Sequence, residues 1–221
     1  MPQQPQAFLF DLNGTIIDDM QYHIKAWHKI FNDLGVDLTY EQTKVQCYGK
    51  NEEVIERVIP GKFSLEEKTG MGYKKEEQYQ KEFRPYLKLI DGLGEFLKEA
   101  KKAGIKMAIG SAAVMFNVDF VLDGLNIRHY FDSIVSADDV TLSKPHPETF
   151  LNCAEELHFP AANCIVFEDA PKGIEAAINA GMKSVVLTTM HEQHEFKSYD
   201  KHIIAYGKNF TEISLEKIMK G

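Results

Sequence analysis

Five short runs carry apolar residues without the alternation of a half-buried strand: AFLF (7–10), KMAIG (106–110), SIVS (133–136), CIVF (164–167) and SVVLT (184–188). A strand that is apolar on both faces has to be covered on both faces, which is the condition of a buried parallel sheet. Helical spacing fills the intervals. LGEFLKEAKKAG (93–104) ends on a capping Gly104, while PETFLNCAEELH (147–158) and PKGIEAAINAG (171–181) each open on a proline suited to a first helical turn. Strand alternating with helix predicts an α/β fold, a doubly wound parallel sheet.

Residues 20 to about 85 break that rhythm. HIKAWHKIFNDLG, NEEVIERVI and LEEKTGMGYKKEEQYQKEF are helical in pattern, and no convincing strand separates them. The prediction is an inserted helical cap domain at 18–87, acting as a lid on a core formed by 1–17 and 88–221. A chain of 221 residues has length enough for such a core and insert.

A net charge of −8 argues against a duplex-binding surface built on phosphate neutralisation, so no nucleic-acid partner is expected. Arg57, Arg84 and Arg128 are the only arginines, which leaves few bidentate forks for phosphate. A local basic pocket for one small phosphate is still compatible with an acidic total. Cys47, Cys153 and Cys164 are odd in number and form no CxxC, which predicts free thiols in a reducing cytosol. MPQQPQ has neither a basic region nor a long apolar run, so no secretory leader is expected. No stretch nears the roughly 20 apolar residues of a membrane span. A cytoplasmic monomer without a membrane partner is the expectation.

Ligands of an open parallel sheet bind beyond the carboxyl ends of its strands. The polar residues just past the predicted strands are Asp11, Asn13 and Thr15, then Ser111, then Lys144 in SKPHP, then Glu168 and Asp169 in CIVFEDAPKG. Two or three carboxylates, a hydroxyl and an ammonium at one edge would suit a nucleophile, a Mg²⁺ and a phosphate. Read singly, each has a plainer role: Asp11 as a turn cap, Lys144 as a solvated loop lysine, His23 as packing, Trp27 as core of the insert, Lys75 as part of a solvated helix face. His191 and His194, in MHEQHEF, lack the HExxH order and predict a polar loop.

DLNGT, Ser111, Lys144 before Pro145 and the Glu168–Asp169 pair stand in the order and at the strand ends of a known set. With these motifs the sequence resembles the haloacid dehalogenase (HAD) superfamily of phosphotransferases over nearly its whole length. Within the insert, DDMQYHIKAW (18–27) is similar to the cap entry of β-phosphoglucomutases and related sugar-phosphate phosphatases; His23, Trp27 and the Lys75 of KEEQY fall on matching positions. The resemblance implies a HAD-like Rossmannoid core and Mg²⁺-dependent phosphoryl transfer through an aspartyl phosphate, with a small phosphorylated sugar or polyol as partner. It makes Asp11 the nucleophile. It gives Asp11, the backbone carbonyl of Asn13 and Asp169 as metal ligands, with Glu168 either a further ligand or the partner that orients Lys144. Thr15, Ser111, Ala112 and Lys144 would hold the phosphoryl oxygens. His23, Trp27, Lys50, Asn51 and Lys75 are its candidates on the substrate side of the cap.

Two departures qualify this reading. Asn13 stands where the family usually has an Asp that serves as general acid and base; an amide keeps the hydrogen-bonding capacity but has no useful pKa. Three readings stay open: a slow or repurposed enzyme, an engineered trap for the phosphoenzyme, or a binding protein that has kept the fold. The second departure is the distal grip. GKNEEV offers Lys50 and Asn51 but no Arg, and AAVMFN after Ser111 offers no Lys, leaving Asn117 as the polar candidate. Hydrolysis of a monophosphate is therefore favoured over mutase chemistry, and the ED pair with Lys144 disfavours dehalogenation.

Overall fold

The computed structural model describes residues 7–220, so the MPQQPQ stretch read for a leader lies outside the described residues. Six strands form one parallel sheet: β1 (Ala7–Phe10), β2 (Lys106–Gly110), β3 (Ser133–Val135), β4 (Cys164–Glu168), β5 (Lys183–Leu187) and β6 (Ile203–Gly207). Their order is β3-β2-β1-β4-β5-β6. The chain winds outward from β1 to β3, then returns to lay β4 on the other side of β1. That reversal opens a crevice at the carboxyl ends of β1 and β4.

Alternation along the central strands explains the winding. Ala7 and Leu9 of β1 face one core with Ala108, Val166 and Phe150. Phe8 and Phe10 face the other way, against Phe167, Phe96 and Phe210, with the Phe10 and Phe167 rings stacked at 4.5 Å. Each face is apolar and each is covered: the first by α7 (Glu148–Glu156) and α8 (Pro171–Asn179), the second by Phe96 of α5 (Leu93–Lys102) and the segment around Phe210.

Sequence patterning predicts five strands, and the structure has a sixth. β6 is a half-buried edge strand that follows a polar 3₁₀ run, Gln193–His202, so it lacks the double-sided apolar signature of the others. That run also replaces the polar loop expected around His191 and His194. His191 precedes it with Nδ1 3.0 Å from the Glu195 carboxylate, and His194 lies exposed within it.

Residues Asp19–Leu87 form a separate compact unit. It comprises α1 (Met20–Asp33), α2 (Tyr40–Gln46), α3 (Asn51–Val58) and α4 (Leu65–Phe83). Thr39 and Ser64 start α2 and α4 with reciprocal capping boxes through Gln42 and Glu67. The apolar stripe of α1 supplies Trp27 and Phe31, whose rings stack at 5.3 Å and pack on Val54 and Ile55 of α3. Among the described residues no helix is long and apolar enough to cross a membrane. All three cysteines are free, and burial pushes the Cys47 thiol up to about 12 and that of Cys164 up to about 11, so neither is a ready nucleophile near neutral pH.

Candidate active site

Asp11 is held at the end of β1 by its own backbone, whose N–H donates to the Phe167 carbonyl at 2.9 Å and so prolongs the β1–β4 ladder. Beside it, β4 ends in Glu168, Asp169 and the turn into α8. Asp11, Glu168 and Asp169 each offer a carboxylate oxygen, and these oxygens lie within 4.8 Å of one another. All three residues are buried. Three clustered, buried acids need a cation, and Lys144 supplies one: its Nζ donates to Asp11 Oδ1 at 2.6 Å and to Glu168 Oε1 at 2.9 Å. Burial alone would lower the Lys144 pKa, but the charges of Asp11 and Glu168 overcome that and hold it above the ordinary lysine value.

Several local devices fix this group. The other Glu168 oxygen accepts from the Asp169 and Ala170 amides at 2.8 and 2.7 Å. Gly173 leaves room for it, since a Cβ there would fall 1.7 Å from Glu168 Oε1. Gly14 adopts φ +77°, and a Cβ on it would lie 2.0 Å from Asp169 Oδ2, so the turn after Asn13 is pressed against the Asp169 carboxylate. The loop carrying Lys144 is tied down before it by the Glu148 carboxylate, which accepts from the Thr141 and Leu142 amides at 2.9 and 2.8 Å. After it, Asn179 Nδ2 donates to the Pro145 carbonyl at 3.0 Å. Sequence patterning did not pick out Glu148, Asn179 or Gly173; only the glycine, two residues past the proline that opens α8, carried a local signal.

The remaining expected residues on the core divide clearly. Thr15 is fully buried, and its Oγ1 has no hydrogen-bond partner, a costly state that a ligand oxygen would relieve. Ser111 is buried at the end of β2, its hydroxyl accepting from the Ala113 amide at 3.0 Å; Ala112, between them, is half-buried in that turn. Asn13 is half-buried, its backbone bridged to Ile17. Asn117 is buried on α6 (Met115–Gly124).

In the helical unit, Lys75 is buried on α4 and does not lie on a solvated face. Its Nζ lies 2.6 Å from His23 Nδ1 and donates to both oxygens of Glu76 at 2.9 and 3.0 Å. An ammonium has donors only, so His23 Nδ1 accepts and the ring proton sits on Nε2, 3.3 Å from Asp19 Oδ2. The His23 ring stacks on Tyr79 at 3.8 Å, and the Tyr79 hydroxyl donates to Asp19. Burial, then the Asp19 charge, raises the Tyr79 pKa far above the ordinary value and keeps that hydroxyl protonated. Asn51 Nδ2 also donates to Glu76, at 2.9 Å. Trp27 belongs to the core of this unit, with the Lys75 ammonium 5.3 Å from its ring. Lys50 precedes α3, its backbone N–H donating to the Glu53 carboxylate at 3.0 Å. Asp19, Glu76 and Tyr79 were missed from sequence, although Asp19 to His23 and Lys75 to Tyr79 are both four-residue steps on one helix face.

Known proteins resemble this chain over most of its length. Residues 8–187 match the model of the family described as haloacid dehalogenase-like hydrolase. The chain is 28% identical to hexitol phosphatase B of Escherichia coli over 88% of each chain. It is 30% identical to the β-phosphoglucomutase of Bacillus subtilis over 81% of this chain and 82% of the other. The crystal structure of a β-phosphoglucomutase from Clostridium difficile superposes with a TM-score of 0.85 at 30% identity, covering 97% of this chain and 96% of that one. With four strand-end motifs gathered at one sheet edge and a family model spanning most of its length, the chain belongs to the haloacid dehalogenase-like hydrolases and is an enzyme of their phosphatase and phosphoglucomutase type.

Proposed function

We propose that this enzyme hydrolyses the phosphate monoester of a small sugar or polyol through an aspartyl phosphate on Asp11. The observation that carries the reading is the convergence of Asp11, Lys144, Glu168 and Asp169 in one buried cluster. In the first half-reaction an Asp11 carboxylate oxygen attacks phosphorus as the bond from phosphorus to the ester oxygen breaks, and the alcohol leaves with that oxygen and a proton taken from solvent. In the second, water attacks the same phosphorus, releasing orthophosphate and restoring the carboxylate. Lys144 orients Asp11 and neutralises phosphoryl charge, and the unpartnered Thr15 hydroxyl and Ser111 donate to the phosphoryl oxygens. The Asn13 amide has no proton acidic enough to transfer to the departing alcohol, which makes turnover slow.

The donor set fits Mg²⁺: hard carboxylate oxygens are clustered, and the glycine turn at Gly14 leaves space only for the Asp169 carboxylate. Asp11, Asp169 and the Asn13 backbone carbonyl would hold the ion. Glu168 is spent on Lys144 and two amides, which supports an orienting role for it. When bound, Mg²⁺ would neutralise charge on the transferring phosphoryl group. If it does, EDTA lowers the release of phosphate from p-nitrophenyl phosphate and added Mg²⁺ restores it. Asp169→Ala then raises the Mg²⁺ concentration for half-activation at least about tenfold. Activity indifferent to EDTA would overturn the metal assignment.

Relatives named for hexitol phosphate hydrolysis and for β-phosphoglucomutase activity support a small polyhydroxylated substrate. Between the two reactions, the helical unit favours hydrolysis. Lys75 is already neutralised by Glu76, and Asn51 is bound to the same carboxylate, so neither stands ready for the second phosphate that a mutase handles. The separation of Asp19–Leu87 as its own compact unit supports a lid. Crystals grown with and without orthovanadate should differ by a rigid rotation of that unit, with the packing of Trp27, Phe31, Val54 and Ile55 preserved. One orientation in both crystals counts against a lid.

A further inference from the structure

The turn between Asp11 and Ile17 is anchored by a residue that none of the four motifs contains. Thr189 follows β5, and its Oγ1 donates to the Gly14 carbonyl at 2.7 Å across 175 positions of sequence. Thr189 is in turn held by its neighbour: the Thr188 N–H donates to the Gly207 carbonyl at 2.9 Å, prolonging the β5–β6 ladder. The other end of the Gly14 unit is fixed too, because its N–H donates to the Ile17 carbonyl at 2.7 Å. The glycine between these bonds adopts φ +77° and touches the Asp169 carboxylate.

A left-handed glycine is the most compliant point in such a turn. The Gly14–Thr15 peptide is planar, so the direction of the Gly14 carbonyl sets the direction of the Thr15 N–H and the Thr15 Cα. Thr15 is the residue whose buried hydroxyl lacks a partner. Holding the carbonyl therefore aims that hydroxyl. It also holds the turn after Asn13 against the Asp169 carboxylate. We infer that Thr189 is a positioning residue for phosphoryl transfer: its hydroxyl, seated on the β5–β6 ladder, locks the Gly14 peptide and with it the alignment of Thr15 and Asp169. This rests on the proposed phosphatase reading.

A hydroxyl that merely satisfied a half-buried carbonyl would affect stability and leave the rate constant alone. Thr189→Val keeps the shape and removes the donor; Thr189→Ser keeps the donor. With p-nitrophenyl phosphate and Mg²⁺, Thr189→Val should lower kcat about tenfold or more while KM moves less than about twofold, since small misplacements act on the transition state. The Kd for orthovanadate, measured calorimetrically, should rise by a similar factor, and Thr189→Ser should restore both to within about threefold of the parent. If the valine variant melts early, Thr189→Ala is read by the same criteria. A valine variant with the parent's kcat, or a serine variant as impaired as valine, overturns the inference and leaves the phosphatase reading standing. A parent that releases no phosphate from any monoester overturns that reading and the inference together.

Discussion

Asn13→Asp raises the turnover of alkyl phosphate monoesters at least about tenfold, because a positioned general acid is typically worth ~10²–10⁴ in rate. The rest of the proposed machinery is in place without it: Asp11 is oriented by Lys144, and Asp169 lies against the Gly14 turn. The substitution is close to isosteric at a half-buried position, and the backbone bridge from Asn13 to Ile17 does not involve the side chain, so the loop keeps its path. The gain is largest for sugar and polyol esters, whose alkoxides must be protonated to leave. It is smaller for p-nitrophenyl phosphate, whose phenolate departs as an anion. Steady-state rates on both substrate types check this. An aspartate variant no faster than the parent on any alkyl phosphate would show that the amide is not standing where the acid acts.

Lys144→Met destabilises the protein by ~3–5 kcal/mol, the usual cost of stripping one partner from a buried ion pair. Here one ammonium serves two buried carboxylates, at 2.6 and 2.9 Å, and sits 4.5 Å over the Phe150 ring. Methionine retains the volume and the ring contact, so the loss is that of charge. Glu168 keeps its two amide donors, while Asp11 is left facing two other carboxylates. The Lys144 pKa is raised in the folded state, so its contribution is complete below the ordinary lysine value and fades only as pH climbs through the folded one. The gap between parent and variant should therefore be undiminished from neutrality to about pH 9. Urea unfolding in EDTA across that range measures it. Equal midpoints and slopes for the two proteins would mean that the three acids are not held by this lysine.

The core of the fold was legible because its signal is local. A strand buried on both faces is apolar at every step, whatever it pairs with, and AFLF and CIVF declare this in four residues each. The acids that follow them, Asp11, Glu168 and Asp169, come together because parallel strands place their carboxyl ends at one edge, a rule that needs no side-chain geometry. β6 escaped the same test because an edge strand needs cover on fewer sides and carries a mixed pattern.

Periodicity had nothing to say about contacts between distant segments, and those decided the rest. Read alone, Lys144 was a loop lysine; the order of the motifs put it at the site, and only the fold, across 133 positions of chain, set its ammonium on Asp11. Lys75 read as one more charge on a solvated helix. Its burial follows from α4 packing on α1, which brings His23 to its ammonium and leaves Glu76 as the neutralising partner. The Thr189 latch on Gly14 had no sequence signal at all, since a hydroxyl after a strand is common and its acceptor is a backbone carbonyl that every residue possesses. The sequence alone determined which strands are buried and which acids end them, because burial on two faces is written in consecutive side chains. Only the tertiary structure decided which cation meets which acid, because the cost of a buried charge is relieved by whatever the fold brings within about 3 Å of it, at any distance along the chain.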